Sequence, residues 1–349
     1  MSSENNNHLP CGLSNLGNTC FLNSCVQLLN YTYELETISP GDKESGDSNV
    51  FCEWRELRDF MMDARGQVPN PVVTPGKFVK TIHDIAQIKG RELFTGWAQN
   101  DLPEFLLFMI ECMHNSIKRK RSVHINIRGS SESSVDDLAL QCYTMLKTEY
   151  ANGEYSEISD LFYGVYVSRL FSPTGDILHS NKPESYSLLD LPIPLHNGND
   201  TRISLLDCFD AFVSDELLSG WMNEKTNSVE SVKKNIAFWS FPTILIIVLK
   251  RYSPDGRYKN VSLVDFPLDD LDLSKYVIGY KASSYKYTLF GVANHMGGIS
   301  GGHYTAFAKP DGDKWHCFND SSVNEIPPQS RENIIVSPSA YCLLYRKKN

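Results

Sequence analysis

The 349-residue sequence predicts an α+β protein, with helices first and strands later. Two patterns carry that reading. Apolar residues recur at helical spacing in the first two-fifths of the chain, and short runs rich in Tyr, Val and Ile, bounded by turn residues, fill the rest. Composition agrees, since 41% hydrophobic and 21% charged residues is an ordinary globular mix. It excludes a wholly disordered, collagen-like or coiled-coil chain.

The elements follow in order. Residues 1–9 are polar and Asn-rich and are expected to form a disordered tail. From Phe21, two sets of apolar residues (Phe21, Cys25, Leu28 and Leu22, Val26, Leu29) define a helix. Its wide apolar arc predicts deep burial. Ser39 to Asn49, SPGDKESGDSN, reads as a loop. A second helix opens at Asp101, with Leu102, Phe105, Leu106, Met109, Cys112 and Met113 on one face. Asp101 suits its N-cap, and Glu104 three residues on completes a capping-box pattern. Lys118 to Asp136 reads as a second loop, carrying KRKR (Lys118 to Arg121) and GSSESS (Gly129 to Ser134). KRKR reads as the solvated end of a helix or as a nuclear address. Strands are predicted at Phe162–Phe171, Thr243–Leu249, Tyr287–Ala293, His303–Lys309, Lys314–Phe318 and Ala340–Tyr345.

Several functions are excluded early. The longest aliphatic run is Ile244 to Leu249, whereas a membrane span needs about 20 apolar residues, so no membrane partner is expected. MSSENNNHLP has neither a basic start nor an apolar stretch, so no secretory leader is expected. Nine cysteines without a CxxC fit reduced thiols in the cytoplasm or nucleus. A net charge of −9 argues against broad nucleic-acid binding, which needs a basic surface. No HExxH or zinc-finger spacing occurs, so no metal and no other cofactor is expected.

Nucleophilic cysteine chemistry needs an ionisable thiol, a base beside it and donors for an oxyanion. Gly12-Leu-Ser-Asn-Leu-Gly-Asn-Thr-Cys20 offers a thiol at the start of a predicted helix, where the helix dipole favours a thiolate. Asn15 and Asn18 supply amides just upstream. The same residues also suit a buried helical cysteine capped by Asn18 or Thr19. The second segment runs from Asn294 to Phe307, with four glycines between His295 and His303. Pro310-Asp-Gly-Asp313 is a hairpin signal. A two-residue turn at Asp311-Gly312 would set His303 opposite Asp320, and a three-residue loop with a bulge would set it opposite Asn319. Either pairing gives a histidine base with a side chain that fixes its tautomer.

At these residues the chain resembles the ubiquitin-specific proteases, papain-like cysteine deubiquitinases. The cysteine box is GLSNLGNTCFLNSCVQ (Gly12 to Gln27), and the histidine box is GGHYTAF with WHCFNDSSV (Gly301 to Val323). Weaker landmarks lie between them in the family's order: GWAQNDLPEFL (Gly96 to Leu106), YSEISDLFYG (Tyr155 to Gly164) and FPTILIIVLKRY (Phe241 to Tyr252). The resemblance implies one catalytic domain over residues 10–347. Its parts would be a helical thumb (about 10–155), antiparallel β fingers (about 156–250) and a β-rich palm (about 240–347). It implies ubiquitin and ubiquitinated proteins as partners, and a monomer.

Carried over residue by residue, the resemblance makes Cys20 the nucleophile, His303 the base and Asn319 the third triad member, which favours the bulged hairpin. Asp320 remains an alternative or second contributor. Asn15 and the Cys20 N–H would form the oxyanion hole. Gln99, Asp101, Glu104, His295, Gly301, Gly302 and Tyr304 match positions around the substrate tail, although Asp101 and Glu104 also read simply as a helix cap. Glycines there suit a narrow channel for a tail ending in Gly-Gly. Many family members hold zinc in the fingers through two CxxC pairs. The matching positions here carry Phe171, Thr174, Asn223 and Thr226. No zinc is expected, and the fingers should rely on packing alone, with Phe171 as apolar filler. Two other functions stay open: a protease for a ubiquitin-like modifier, and a catalytically silent ubiquitin-binding module.

Overall fold

The computed structural model describes residues 9–41, 45–65, 67–96, 98–126, 134–194, 202–223, 226–298 and 301–348. Residues 1–8 of the expected tail, and Gly129 to Ser133, lie outside the described residues. The chain divides into two compact units. One comprises residues 1–117, 247–264 and 289–345, and the other comprises residues 118–246, 265–288 and 346–349.

The first unit holds four helices: α1 (Cys20–Asn30), α2 (Gly46–Ala64), α3 (Gly76–Ile88) and α4 (Leu102–Ile117). Every residue of α1 is buried, including the polar ones. The amide N–H groups of Asn23, Gln27 and Asn30 find acceptors on neighbouring residues. Asn23 Nδ2 donates to Asp320 Oδ1 at 2.8 Å, and Gln27 Nε2 donates to the Cys11 carbonyl at 2.9 Å. α2 begins inside the segment expected to be a loop. Ser45 Oγ accepts from Ser48 N at 3.0 Å, so the small polar residues Gly46 to Asn49 form a capped first turn rather than a loop. α4 buries the predicted apolar face from Leu102 to Met113. Asp101 Oδ1 accepts from Glu104 N at 3.1 Å, which is the N-cap half of the expected pattern. Phe105 meets Phe21 and Phe94 at ring distances of 5.3 and 5.4 Å. Such pairs contribute about 0.5–1.5 kcal/mol beyond their buried area.

Beside these helices lies a sheet. Strands Ser322–Ile326, Lys314–Asn319, Gly301–Asp311 and Lys286–Gly298 are consecutive antiparallel neighbours, and Ala340–Lys347 follows. α1 packs on the Gly301–Asp311 strand. The hairpin corrects both expected registers. Ala306 faces Phe318, Ala308 faces His316 and Asp311 faces Lys314, with an irregularity between Ala308 and Asp311. The turn is therefore Gly312-Asp313, one residue later than expected. Pro310 stands at the irregularity and has no N–H to give to a ladder, which displaces the turn.

The second unit contains α5 (Ser134–Ala151), α6 (Glu157–Phe162) and α7 (Leu205–Val213). α5 starts where the Lys118 to Asp136 loop was expected to continue. Leu138, Ala139 and Cys142 of α5 are buried against Val165, Val167 and Trp239. KRKR directly follows the end of α4 at Ile117 and is exposed, and its Lys118, Arg119 and Arg121 side chains are paired. Arg119 bridges Tyr155 in an antiparallel pair, Lys118 binds Glu154 at 2.9 Å, and Arg119 binds Glu157. The Arg121 guanidinium lies over the Tyr155 ring at 4.2 Å.

A four-stranded antiparallel sheet runs in the order Leu178–Tyr186, Gly164–Phe171, Ser228–Ser240, Glu216–Asn223. Its tips carry hydrogen-bond clusters, not apolar packing alone. Glu230 Oε1 accepts from Asn223, Thr226 and Ser228 at 3.1, 2.9 and 2.7 Å. Ser172 Oγ accepts from the Asp176 and Ile177 N–H groups, both at 3.1 Å, and lies 3.1 Å from Thr174 Oγ1. Phe171 is half-buried, with the Arg169 guanidinium 5.5 Å from its ring. Phe171, Thr174, Asn223 and Thr226 provide no thiolate, so these four positions do not fit zinc.

Candidate active site

The segment before α1 is fixed at both edges. Gly12 N donates to the Pro71 carbonyl and Leu13 N to the Asp320 carbonyl, both at 2.9 Å. A Cβ on Gly12 would lie 2.6 Å from the Ser321 carbonyl oxygen, so only glycine allows this approach. The backbone then turns through Gly17 (φ 101°) and Asn18 (φ 54°). Asn15 Oδ1 organises that turn by accepting from Gly17 N at 2.9 Å and Thr19 N at 3.2 Å.

Cys20 is the first residue of α1 and is 2% exposed. Burial pushes its thiol above the ordinary value. A hydrogen bond from the Tyr304 backbone opposes this, the Asp320 charge adds to it, and the Phe21 and Cys20 backbone groups oppose it. Burial outweighs the backbone donors, so the surroundings of Cys20 act against the thiolate that a helix start favours.

His303 stands next to Tyr304 on the Gly301–Asp311 strand. Its Nε2 lies 2.7 Å from Asn319 Oδ1. An amide oxygen only accepts, so Nε2 carries the proton and the Nδ1 lone pair is left for another partner. The ladder does not oppose these residues directly. In the observed register Asn319 stands beyond Phe318, diagonal to His303 on the same face. Asp320 begins the turn to the Ser322–Ile326 strand with φ 51°. Its carboxylate is engaged by two amides: Oδ2 accepts from Asn15 Nδ2 at 2.9 Å, and Oδ1 accepts from Asn23 Nδ2 at 2.8 Å.

A cavity of about 320 Å³ is lined by Gln99, Asp101, His295, Gly301, Gly302, Tyr304 and Tyr252, among others. Six of these are sequence-derived candidates. Gln99 clamps Gly302 with two bonds of 2.7 Å, one to its carbonyl and one from its N–H. Asp101 Oδ2 accepts from Tyr341 at 2.8 Å and from Tyr304 at 3.4 Å. Burial nevertheless holds the Asp101 carboxyl above its usual range. Glu104 is exposed and contributes its backbone N–H to the cap. His295 is buried and pushed down to about 4, by burial first and then by the charges of Lys259 and His303.

Sequence reasoning missed Asn23, Tyr252, Lys259 and Tyr341. Asn23 lies inside the cysteine box, where its spacing from Cys20 put it on the buried helix. Tyr341 sat in a strand read only as core. Tyr252 closed a strand landmark, and Lys259 carried no signal.

The chain matches the family model "Ubiquitin carboxyl-terminal hydrolase" over residues 11–345. It is 31% identical to the fruit-fly (Drosophila melanogaster) "Ubiquitin carboxyl-terminal hydrolase Usp2" over 97% of this chain and 35% of that protein. It is 31% identical to human (Homo sapiens) "Ubiquitin carboxyl-terminal hydrolase 2" over 96% of this chain and 54% of that one. It therefore spans about a third to a half of those relatives, although it covers 92% of the chicken (Gallus gallus) protein of the same name, at 32% identity. Its fold is similar to the structure of the SAGA Ubp8/Sgf11/Sus1/Sgf73 DUB module bound to ubiquitin aldehyde. That match has a TM-score of 0.69 and 22% identity, over 100% of this chain and 71% of that one. The cysteine and histidine boxes, the α+β fold and the match along nearly the whole sequence agree that the chain belongs to the ubiquitin carboxyl-terminal hydrolase family, within its ubiquitin-specific protease branch.

Proposed function

We propose that this chain is a thiol-dependent deubiquitinating enzyme that hydrolyses the isopeptide or peptide bond after the C-terminal glycine of ubiquitin. The observation that carries this reading is the His303–Asn319 bond of 2.7 Å beside a buried Cys20. It leaves an imidazole lone pair next to the strand backbone that touches the thiol.

The steps follow from those positions. His303 Nδ1 takes the Cys20 proton as Sγ attacks the terminal glycine carbonyl. Asn15 Nδ2 and the Cys20 N–H donate to the oxyanion. Asn15 has a second amide proton beyond the one given to Asp320, so it can serve both. The imidazolium returns the proton to the leaving lysine amine as the C–N bond breaks and the thioester forms. Water, deprotonated by His303, then releases ubiquitin's carboxylate and regenerates the thiol. Asn319 orients the ring throughout. Asp320 acts one step away by holding Asn15 and Asn23.

The extended tail would occupy the cavity at Gln99, Asp101, His295, Gly301, Gly302 and Tyr304, with Glu104 at its rim. The four-stranded sheet would carry ubiquitin's globular part. The nine cysteines form no disulfide among the described residues, and their number and spacing without a CxxC fit a reducing compartment, cytoplasm or nucleus. The enzyme is taken to act as a monomer.

Ubiquitin bearing an electrophile at its C-terminus tests this reading by mass spectrometry. The expected product is one ubiquitin on Cys20, absent in Cys20→Ala. Modification by a ubiquitin-like probe alone would overturn the choice of ubiquitin, and adducts on other cysteines would overturn the choice of nucleophile.

A further inference from the structure

Lys259 has no place in the reaction just described, yet its ammonium is fully engaged. Nζ donates to the carbonyls of His295 and Gly297, each at 2.9 Å, and lies 3.0 Å from His295 Nδ1. The Tyr252 hydroxyl lies 2.6 Å from the same Nδ1. An ammonium has donors and no acceptor. Nδ1 must therefore accept, and the ring proton sits on Nε2.

Nε2 lies against Gly302. A Cβ on Gly302 would lie 2.3 Å from His295 Nε2, so the imidazole edge fills the space a side chain would take. His295 and Gly302 both line the cavity. An extended peptide presents carbonyls as well as N–H groups. Asp101 and the Gln99 amide oxygen can take its N–H groups, whereas a carbonyl needs a donor such as Nε2–H.

We propose that Lys259 is a positioning residue that fixes His295 as a neutral Nε2–H donor for a backbone carbonyl of the substrate tail. This rests on the deubiquitinase reading. Other titratable groups face the ring: Tyr252 beside Lys259, Tyr304 and His303 from the neighbouring strand, and Tyr341 from the last strand. Asp101 lies behind Tyr304 and Tyr341, and buried Arg251 adds positive charge near Lys259. The balance is cationic at the ring, which disfavours an imidazolium, and burial acts in the same direction.

The test joins ¹⁵N histidine NMR to steady-state cleavage of ubiquitin carrying a C-terminal fluorophore. In wild type the His295 signals should report Nε2–H and stay constant from pH 5.5 to 8. Lys259→Met should let the ring titrate and mix tautomers. It should raise KM about 3- to 10-fold, the worth of one hydrogen bond, and leave kcat within about twofold. Tyr252→Phe, which leaves both carbonyl bonds intact, should give a smaller change of the same kind, and Lys259→Arg should recover wild-type behaviour. A proton on Nδ1 in wild type, or a Lys259→Met enzyme with unchanged His295 signals and KM, overturns the inference. An inactive wild type would overturn the deubiquitinase reading instead, and the NMR signals would still decide the tautomer. If Lys259→Met fails to fold, wild type and Tyr252→Phe decide it.

Discussion

Cys20 shows how one residue's surroundings set its reactivity. The thiol sits at a helix start, the position that usually favours a thiolate, but desolvation and the Asp320 charge hold it above its ordinary value of 9.0. Since the anion is the disfavoured form, the thiolate fraction is small at neutral pH and grows as pH rises. Alkylation of Cys20 by iodoacetamide in the substrate-free protein should therefore keep accelerating beyond pH 9. A rate that levels off below pH 7 would mean a resting thiolate, contrary to this environment. Asn319 carries a second residue-scale lesson. The sequence reduced the His303 partner to Asn319 or Asp320 through directly opposed positions, and both assumed registers were wrong. Asn319 still reaches the ring because a diagonal neighbour on the same face lies within side-chain reach.

Among the elements, α4 combines structure and site in one carboxylate. Asp101 caps the helix through Glu104 N and gathers two tyrosine hydroxyls at the cavity wall. Burial raises its pKa above 3.8 despite these donors. The sign follows: a carboxyl raised in the folded state favours folding while protonated, and that contribution is lost as pH rises through the folded value. At neutral pH its charge is a cost. Asp101→Asn keeps an acceptor and removes the charge. It should leave thermal stability unchanged or raise it by about 0.5–1 kcal/mol, while weakening ubiquitin binding in a titration with the Cys20→Ala background. A clear loss of stability would show that the ionised cap outweighs its desolvation.

Element boundaries were readable where local chemistry was unambiguous. α1, α4 and the strands around His303 lie where apolar period and capping residues put them. Gly46 to Asn49 misled because small polar residues serve a loop and a helix first turn equally well. Asp311-Gly312 misled because Pro310, not the turn dipeptide, controls where the ladder is interrupted. Lys259 was invisible because its partners are backbone carbonyls 36 to 38 positions away, which no side-chain pattern marks.

At the scale of the whole molecule, the two sequence boxes hold the proposed nucleophile, base and orienting amide, and the proposed tail cavity draws Gln99 and Asp101 from between them and Gly301, Gly302 and Tyr304 from the histidine box. The boxes were legible as a constellation, since a thiol, a histidine and an amide are few and chemically specific. The fingertip contacts were not, because Glu230 gathers Asn223, Thr226 and Ser228 through geometry rather than through a repeated residue type. Neither fingertip cluster offers a thiolate, so catalysis is predicted not to depend on zinc.

The most direct measurement is steady-state hydrolysis of ubiquitin carrying a C-terminal fluorophore, by wild type and Cys20→Ala, each with and without a zinc chelator. A cysteine mechanism with metal-free fingers predicts cleavage by wild type that the chelator leaves unchanged, and none by the variant. Cleavage that survives loss of the Cys20 thiol, or that the chelator abolishes, would contradict it.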